Sequence, residues 1–156
     1  MAGASEIGSV APKVAYWHVW ADEARVTHHT LCALSAFKKE SVGAEAAPEW
    51  INTLLTSEAN VLFFVQPVGW VGEWRTNPKP QLIVTVSGHW FAKTMDGTRV
   101  EMAPAEVSLG SDHASKPDAQ GQFGHRSGTV GEELLVLMVV RLAGEIWLGL
   151  SPCAFK

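Results

Sequence analysis

The sequence predicts an all-β fold, a sandwich or a barrel, on three observations. Runs rich in β-branched and aromatic residues recur at short intervals along the chain. Gly, Pro and Asp-Gly signals punctuate them from Gly69 onward. Apolar residues at helical spacing are almost absent, as many short strands in a sandwich or barrel require.

Taken in order, residues 1–13 read as a loose, flexible N-terminal tail. Segments 16–20 and 31–37 read as N-terminal strands, separated by the polar stretch 22–29. A loop with Ala46, Ala47 and Pro48 leads into 49–55, read as one or two helical turns. The Val- and Phe-rich segment 61–65 reads as a buried strand. Gly69, Gly72, Pro78 and Pro80 then break the chain before a strand at 81–86, and Ser87-Gly88 turns it into 89–94. Asp96-Gly97 predicts a hairpin to 98–102, Pro104 a turn to 107–110, and a polar loop spans 111–123. The last strands are 124–130, 134–142 and 145–150, with no internal repeat and no domain boundary.

A length of 156 residues fits one domain with a sizeable core, and 47% hydrophobic against 18% charged residues excludes wholesale disorder. With a net charge of -4 and no basic cluster beyond Lys38-Lys39, nucleic acid is not an expected partner. The apolar runs 61–65 and 134–140 are too short to span a bilayer, so no membrane partner is expected. Residues 1–13 lack an apolar signal core, and the expected location is cytoplasmic. Cys32 and Cys153 leave one disulfide open, but two thiols without CxxC spacing fit a reducing compartment better. Seven tryptophans against one tyrosine have two readings: they fill a large core, or they wall a pocket for a planar or greasy small molecule.

From Gly72 to Gly131 the residues resemble the cupin superfamily. The run Glu73-Trp74-Arg75-Thr76-Asn77-Pro78-Lys79-Pro80-Gln81, the apolar strand after it and Ser87-Gly88 are similar to the first cupin motif of one subfamily. Met95-Asp96-Gly97, the Pro104 turn, Asp112, Gly124-His125-Arg126-Ser127 and Val130-Gly131-Glu132 are similar to the second half of the pattern. The resemblance implies a single cupin-type antiparallel β-barrel (jelly roll) over 14–156, with a short helical turn and N-terminal strands. It covers about half the chain well and the N-terminal half loosely, and fold alone does not fix function. Cupins often pair through edge strands, so the resemblance also implies a possible homodimer.

Metal-binding cupins use a His-x-His pair, a following Glu and a later histidine. The matching positions here hold Arg75, Asn77, Gln81 and His125. Arginine offers only donors and a permanent charge, and amides are weak oxygen ligands, so neither a metal nor another cofactor is expected. Arg75 is then either a clamp for an anionic oxygen or an inward cation paired with Glu73. His125 is either a general acid/base or a hydrogen-bonded core histidine. Asp112 orients His125 or, by the stronger reading, caps the Ser111 loop, with His113 a solvated neighbour. Gln81, Asn77 and Ser127 are candidate substrate contacts, although a turn role competes for Asn77, and Trp74 and Trp90 are candidate pocket walls. His18, His28 and His29 lie near Asp22 and Glu23, but adjacent strand histidines point to opposite faces, which spoils a shared metal site.

Three functions remain open on this reading. The leading one is a metal-independent enzyme acting on a small aromatic or polyketide-like metabolite as an isomerase, cyclase or lyase (dehydratase) of secondary metabolism. There Arg75, His125 and Asp112 are catalytic, and Trp74, Asn77, Gln81, Trp90 and Ser127 bind substrate. The others are a metal-dependent dioxygenase or isomerase with an unusual ligand set in which His113 or Glu73 joins His125, and a non-catalytic small-molecule-binding module.

Overall fold

The computed structural model describes residues 10–43, 45–54, 58–143, 151–153, 155 and 156. The all-β class holds: among the described residues there are eleven strands and no helix. They are β1 (Val14–Ala21), β2 (Thr27–Leu34), β3 (Lys38–Glu40), β4 (Glu49–Ile51), β5 (Ala59–Gln66) and β6 (Gln81–Ser87). After these come β7 (His89–Thr94), β8 (Arg99–Met102), β9 (Val107–Ser111), β10 (His125–Val130) and β11 (Leu135–Leu142). No helix among the described residues is long and apolar enough to cross a membrane.

The strands form a six-stranded sheet in the order β2-β1-β9-β6-β11-β5, a three-stranded sheet β10-β7-β8, and the small β3-β4 ladder. Pairing is antiparallel throughout except between β1 and β9, which run parallel. The two larger sheets face each other across one apolar cluster. Ile83 of β6 and Leu135, Leu137 and Val139 of β11 meet Trp90, Ala92, Val100 and Met102 of β7 and β8. Alternation on each strand supplies these inward residues, and each fully buried large one contributes about 1.5–3 kcal/mol. A second cluster joins Tyr16, Cys32, Leu109, Leu142 and Phe155.

Asp96-Gly97 makes the expected hairpin: Gly97 takes φ 86°, and β7 pairs antiparallel with β8. Three expectations need correction. Segment 49–55 does not open with a helical turn, because Trp50 and Ile51 pair with Lys39 and Lys38 as strand β4; residue 55 lies outside the described residues. Segment 61–65 is not buried on both faces. As β5 it is a sheet edge, with Leu62, Phe64 and Gln66 inward and Val61, Phe63 and Val65 mostly exposed. The second strand begins at Thr27 rather than at residue 31, since the Asp22–Val26 turn bonds back on itself and lets Thr27 pair with Ala21. Tail residues 1–9 and the strand at 145–150 lie outside the described residues.

The cysteines are also corrected: Cys32 and Cys153 form a disulfide, so neither is a free thiol. It ties the segment carrying Phe155 to β2, and Tyr16 of the neighbouring β1 donates its hydroxyl to the Phe155 carbonyl at 3.0 Å. His28, Asp22 and Asp96 form a titratable clip. His28 donates from Nε2 to Asp22 at 2.7 Å and from Nδ1 to Asp96 at 3.0 Å. Burial alone would lower its pKa, but the two carboxylates outweigh that and raise it. His18 and His29 go the other way. Burial, reinforced for His18 by His29, pushes each down to about 4.

Two predictions follow from this fold. Cys153→Ser closes no loop across the 121-residue separation and should lose about 2–5 kcal/mol in urea denaturation. Wild-type stability unchanged by reductant would show that the bridge does not contribute. For His28, the raised folded pKa means its stabilisation is complete below about pH 6.5 and fades as pH rises through the folded value. Asp22 and Asp96 are lowered, so their share is present above about pH 4 and fades below it. The stability gap between wild type and His28→Gln should therefore peak between about pH 4 and 6.5 and shrink toward pH 8. A gap that widens with rising pH would contradict the doubly bonded imidazolium.

Candidate functional site

Inward residues of five strands enclose a cavity of about 280 Å³ between the two larger sheets. Strands β6 and β11 supply Ile83, Leu137 and Val139 as apolar wall, and β7 supplies Trp90, whose indole N–H is satisfied by Thr85 Oγ1 at 2.8 Å. Strand β10 contributes His125 and Ser127, two residues apart and therefore on one face. Arg75 lies opposite His125, and their backbones exchange two hydrogen bonds at 3.0 and 2.9 Å. Gly124 makes this approach possible: it takes φ 63°, and a Cβ there would overlap the Arg75 carbonyl oxygen.

Asp112 leaves the end of β9 with its carboxylate wholly buried behind His125. Its Oδ2 lies 2.7 Å from His125 Nδ1, and its Oδ1 accepts the backbone N–H and the side-chain N–H of Asn77, each at 2.8 Å. Burial by itself would raise the carboxyl pKa, but the bonds from His125 and Asn77 outweigh it and hold Asp112 below the usual carboxylate range. An ionised carboxylate only accepts, so Nδ1 carries the proton and the lone pair of neutral His125 sits on Nε2. That nitrogen makes no hydrogen bond among the described residues, on a ring that lines the cavity. Asp112 thus orients His125, and its carboxylate is not a cap of the Ser111 loop.

The polar chain continues. Asn77 Oδ1 accepts from Gln81 Nε2 at 2.7 Å, and Gln81 Oε1 accepts from Arg141 Nε at 3.1 Å. Asn77 is 3% exposed, which rules against a mere turn role. It fits only because residue 110 is glycine, since a Cβ there would fall on the Asn77 carboxamide. The cavity brings together Arg75, Asn77, Gln81, Trp90, His125 and Ser127. Trp74 is not in its lining; it is half-buried at a bend just before Arg75.

Arg75 is exposed at the cavity rather than turned into the interior, and its guanidinium lies over Trp70, 5.5 Å from the ring centroid. It makes no ion pair with Glu73. Sequence reasoning missed Arg141. The signal was present: Leu135, Leu137, Val139 and Arg141 alternate along β11, so a cation falls in phase with the core. Among the described residues no group of three or more His, Cys, Asp or Glu is placed to hold a metal ion, and neither His113 nor Glu73 joins His125 in one. His113 is half-buried with its Nδ1 unpartnered, not solvated.

No protein-family model matches this chain, and no curated protein matches it in sequence.

Asp112→Asn should move the His125 proton from Nδ1 to Nε2, because a carboxamide can present its own N–H to the ring. Imidazole nitrogen chemical shifts read the tautomer directly. Stability should fall by about 1–3 kcal/mol as buried donors lose a charged acceptor. An unchanged tautomer would remove Asp112 as the orienting group.

Proposed function

We propose that this chain is a cupin-type enzyme working without a metal, moving a proton on a small aromatic or polyketide-like metabolite. The single observation that supports this most is the buried His125–Asp112 pair on the wall of a cavity lined by arginine and by no carboxylate.

In the proposed step, His125 Nε2 takes a proton from a carbon next to a substrate carbonyl. The C–H bonding pair becomes the enolate, and its charge settles on the carbonyl oxygen, where the Arg75 guanidinium donates to it. The Asp112 carboxylate balances the charge that arrives on the imidazole. Return of the proton to a second carbon completes an isomerisation. Attack of the enolate carbon on a second carbonyl of the same molecule instead forms a ring bond, and the alkoxide produced takes the proton back from His125. Delivery to a departing hydroxyl releases water and completes a dehydration. Asn77 and Gln81 act here as positioning residues, since their hydrogen bonds run to Asp112, to each other and to Arg141. Trp90 and the aliphatic wall keep water from the enolate, and Ser127 faces the same space.

The test is deuterium incorporation from D2O into small aromatic and polyketide-like carbonyl compounds, followed by mass spectrometry. His125→Gln should slow exchange by about 100- to 10,000-fold, and Arg75→Gln by about 100-fold or more. Wild-type rates in both variants would overturn the assignment. Binding with no exchange by the wild type would instead identify a non-catalytic binding module.

A further inference from the structure

We infer that Arg141 anchors a carboxylate of the ligand, so that the cavity takes a small apolar carboxylic acid as its anion. This deepens the reading above by naming the substrate class of the same site. It stands on charge and geometry that do not depend on the reaction.

The cavity carries two guanidinium groups, Arg75 and Arg141, and its lining holds no Asp or Glu. That is unexpected in a chain whose net charge is -4. Neither guanidinium makes an ion pair among the described residues. Glu58 lines a smaller space of about 70 Å³ on the other side of Arg141, again without an ion pair. What holds each arginine is an aromatic face: Trp70 under Arg75 at 5.5 Å, and Phe64 under Arg141 at 5.9 Å. A ring face orients the guanidinium plane but leaves its N–H fork unsatisfied, which is the arrangement that suits a bidentate anion.

The two arginines are not equivalent. Arg75 is exposed and held by stacking alone, whereas Arg141 is half-buried and its Nε–H is spent on Gln81 Oε1 at 3.1 Å. Among the described residues the two terminal nitrogens of Arg141 have no hydrogen bond and remain available as donors. It also fixes Arg141 to the chain Gln81–Asn77–Asp112–His125, so the anion anchor and the imidazole are held at one set spacing. Beside Arg141 the wall is apolar, with Leu137, Val139 and Ile83. The complementary ligand therefore has a carboxylate at one end and an apolar body. At about 280 Å³ the cavity lies at the small end of ligand sites, which usually run about 300–1,000 Å³.

The experiment compares benzoate and phenylacetate with benzamide and phenylacetamide, titrated into the intact protein with the arginine Nε–H resonances observed by NMR. Expected are saturable shifts of the Arg141 resonance with the two acids and none with the two amides. Arg141→Gln should weaken the acids by about 10- to 100-fold, the loss of one charge-assisted contact. Arg141→Lys, which keeps the charge without the fork, should recover part of that, and wild-type thermal unfolding of both variants controls for folding. Equal binding of acids and amides, no binding of either, or acid affinity unchanged in Arg141→Gln would overturn the anchor. His125→Gln separates the two readings. Lost exchange with acid binding retained supports both, while acid binding by a wild type that exchanges nothing sinks the enzyme reading and leaves the anchor standing.

Discussion

The Asp112 carboxylate has no contact with solvent, and a buried negative charge is stable only where donors surround it. Three donors do so here, two from Asn77 and one from His125. Much else is set by that requirement. Asn77 must reach inward, which forbids a side chain at Gly110. The chain around Arg75 must lie against His125, which forbids one at Gly124. Gly124 is in turn held by Ser115 Oγ on its N–H at 2.7 Å and by Thr27 Oγ1 on its carbonyl at 2.6 Å. The loop between β9 and β10 is thus tied down at the residue that launches His125.

The same requirement explains how a polar site survives inside an apolar sandwich. The buried groups inside the row, Asp112, Asn77 and Gln81, bond one to the next and to His125 Nδ1 and Arg141 Nε at its ends, so the interior of the row is satisfied by its own members. The apolar cluster of β6, β7, β8 and β11 lies along one side of that row and supplies the driving force of burial. The parallel contact of β1 with β9 adds a further support, since His18 of β1 bonds Ser111, the residue before Asp112, at 2.7 Å. His18 Nδ1 accepts the Cys153 N–H at 3.3 Å, which fixes its neutral tautomer and connects the site to the disulfide.

Much of the strand pattern was legible. Strands β6 to β11 lie where β-rich runs and turn signals put them, because Gly, Pro and Asp-Gly act locally. The N-terminal half was read less well. β2 and β4 are short or polar, and pairing with a neighbour rather than propensity makes them strands. At the site, His125, Asn77, Gln81 and Arg75 were reached through positions matching a motif. Arg141 was missed because an arginine ending an apolar run reads as an ordinary strand terminus until the inward phase of β11 is followed through it. Trp74 lies outside the lining because it sits at a bend between β5 and β6, where strand alternation assigns no face.

By itself the sequence determined the all-β class, the order of the later strands and the tight hairpin at Asp96-Gly97. These depend on backbone preferences within a few residues of chain. Only the tertiary structure decided that Asp112 orients His125, that Cys32 meets Cys153, and that Arg75 and Arg141 share one cavity without a carboxylate. Each of those facts joins residues 13 to 121 positions apart. Such pairings are set by sheet order and strand phase, to which no local stretch of sequence has access.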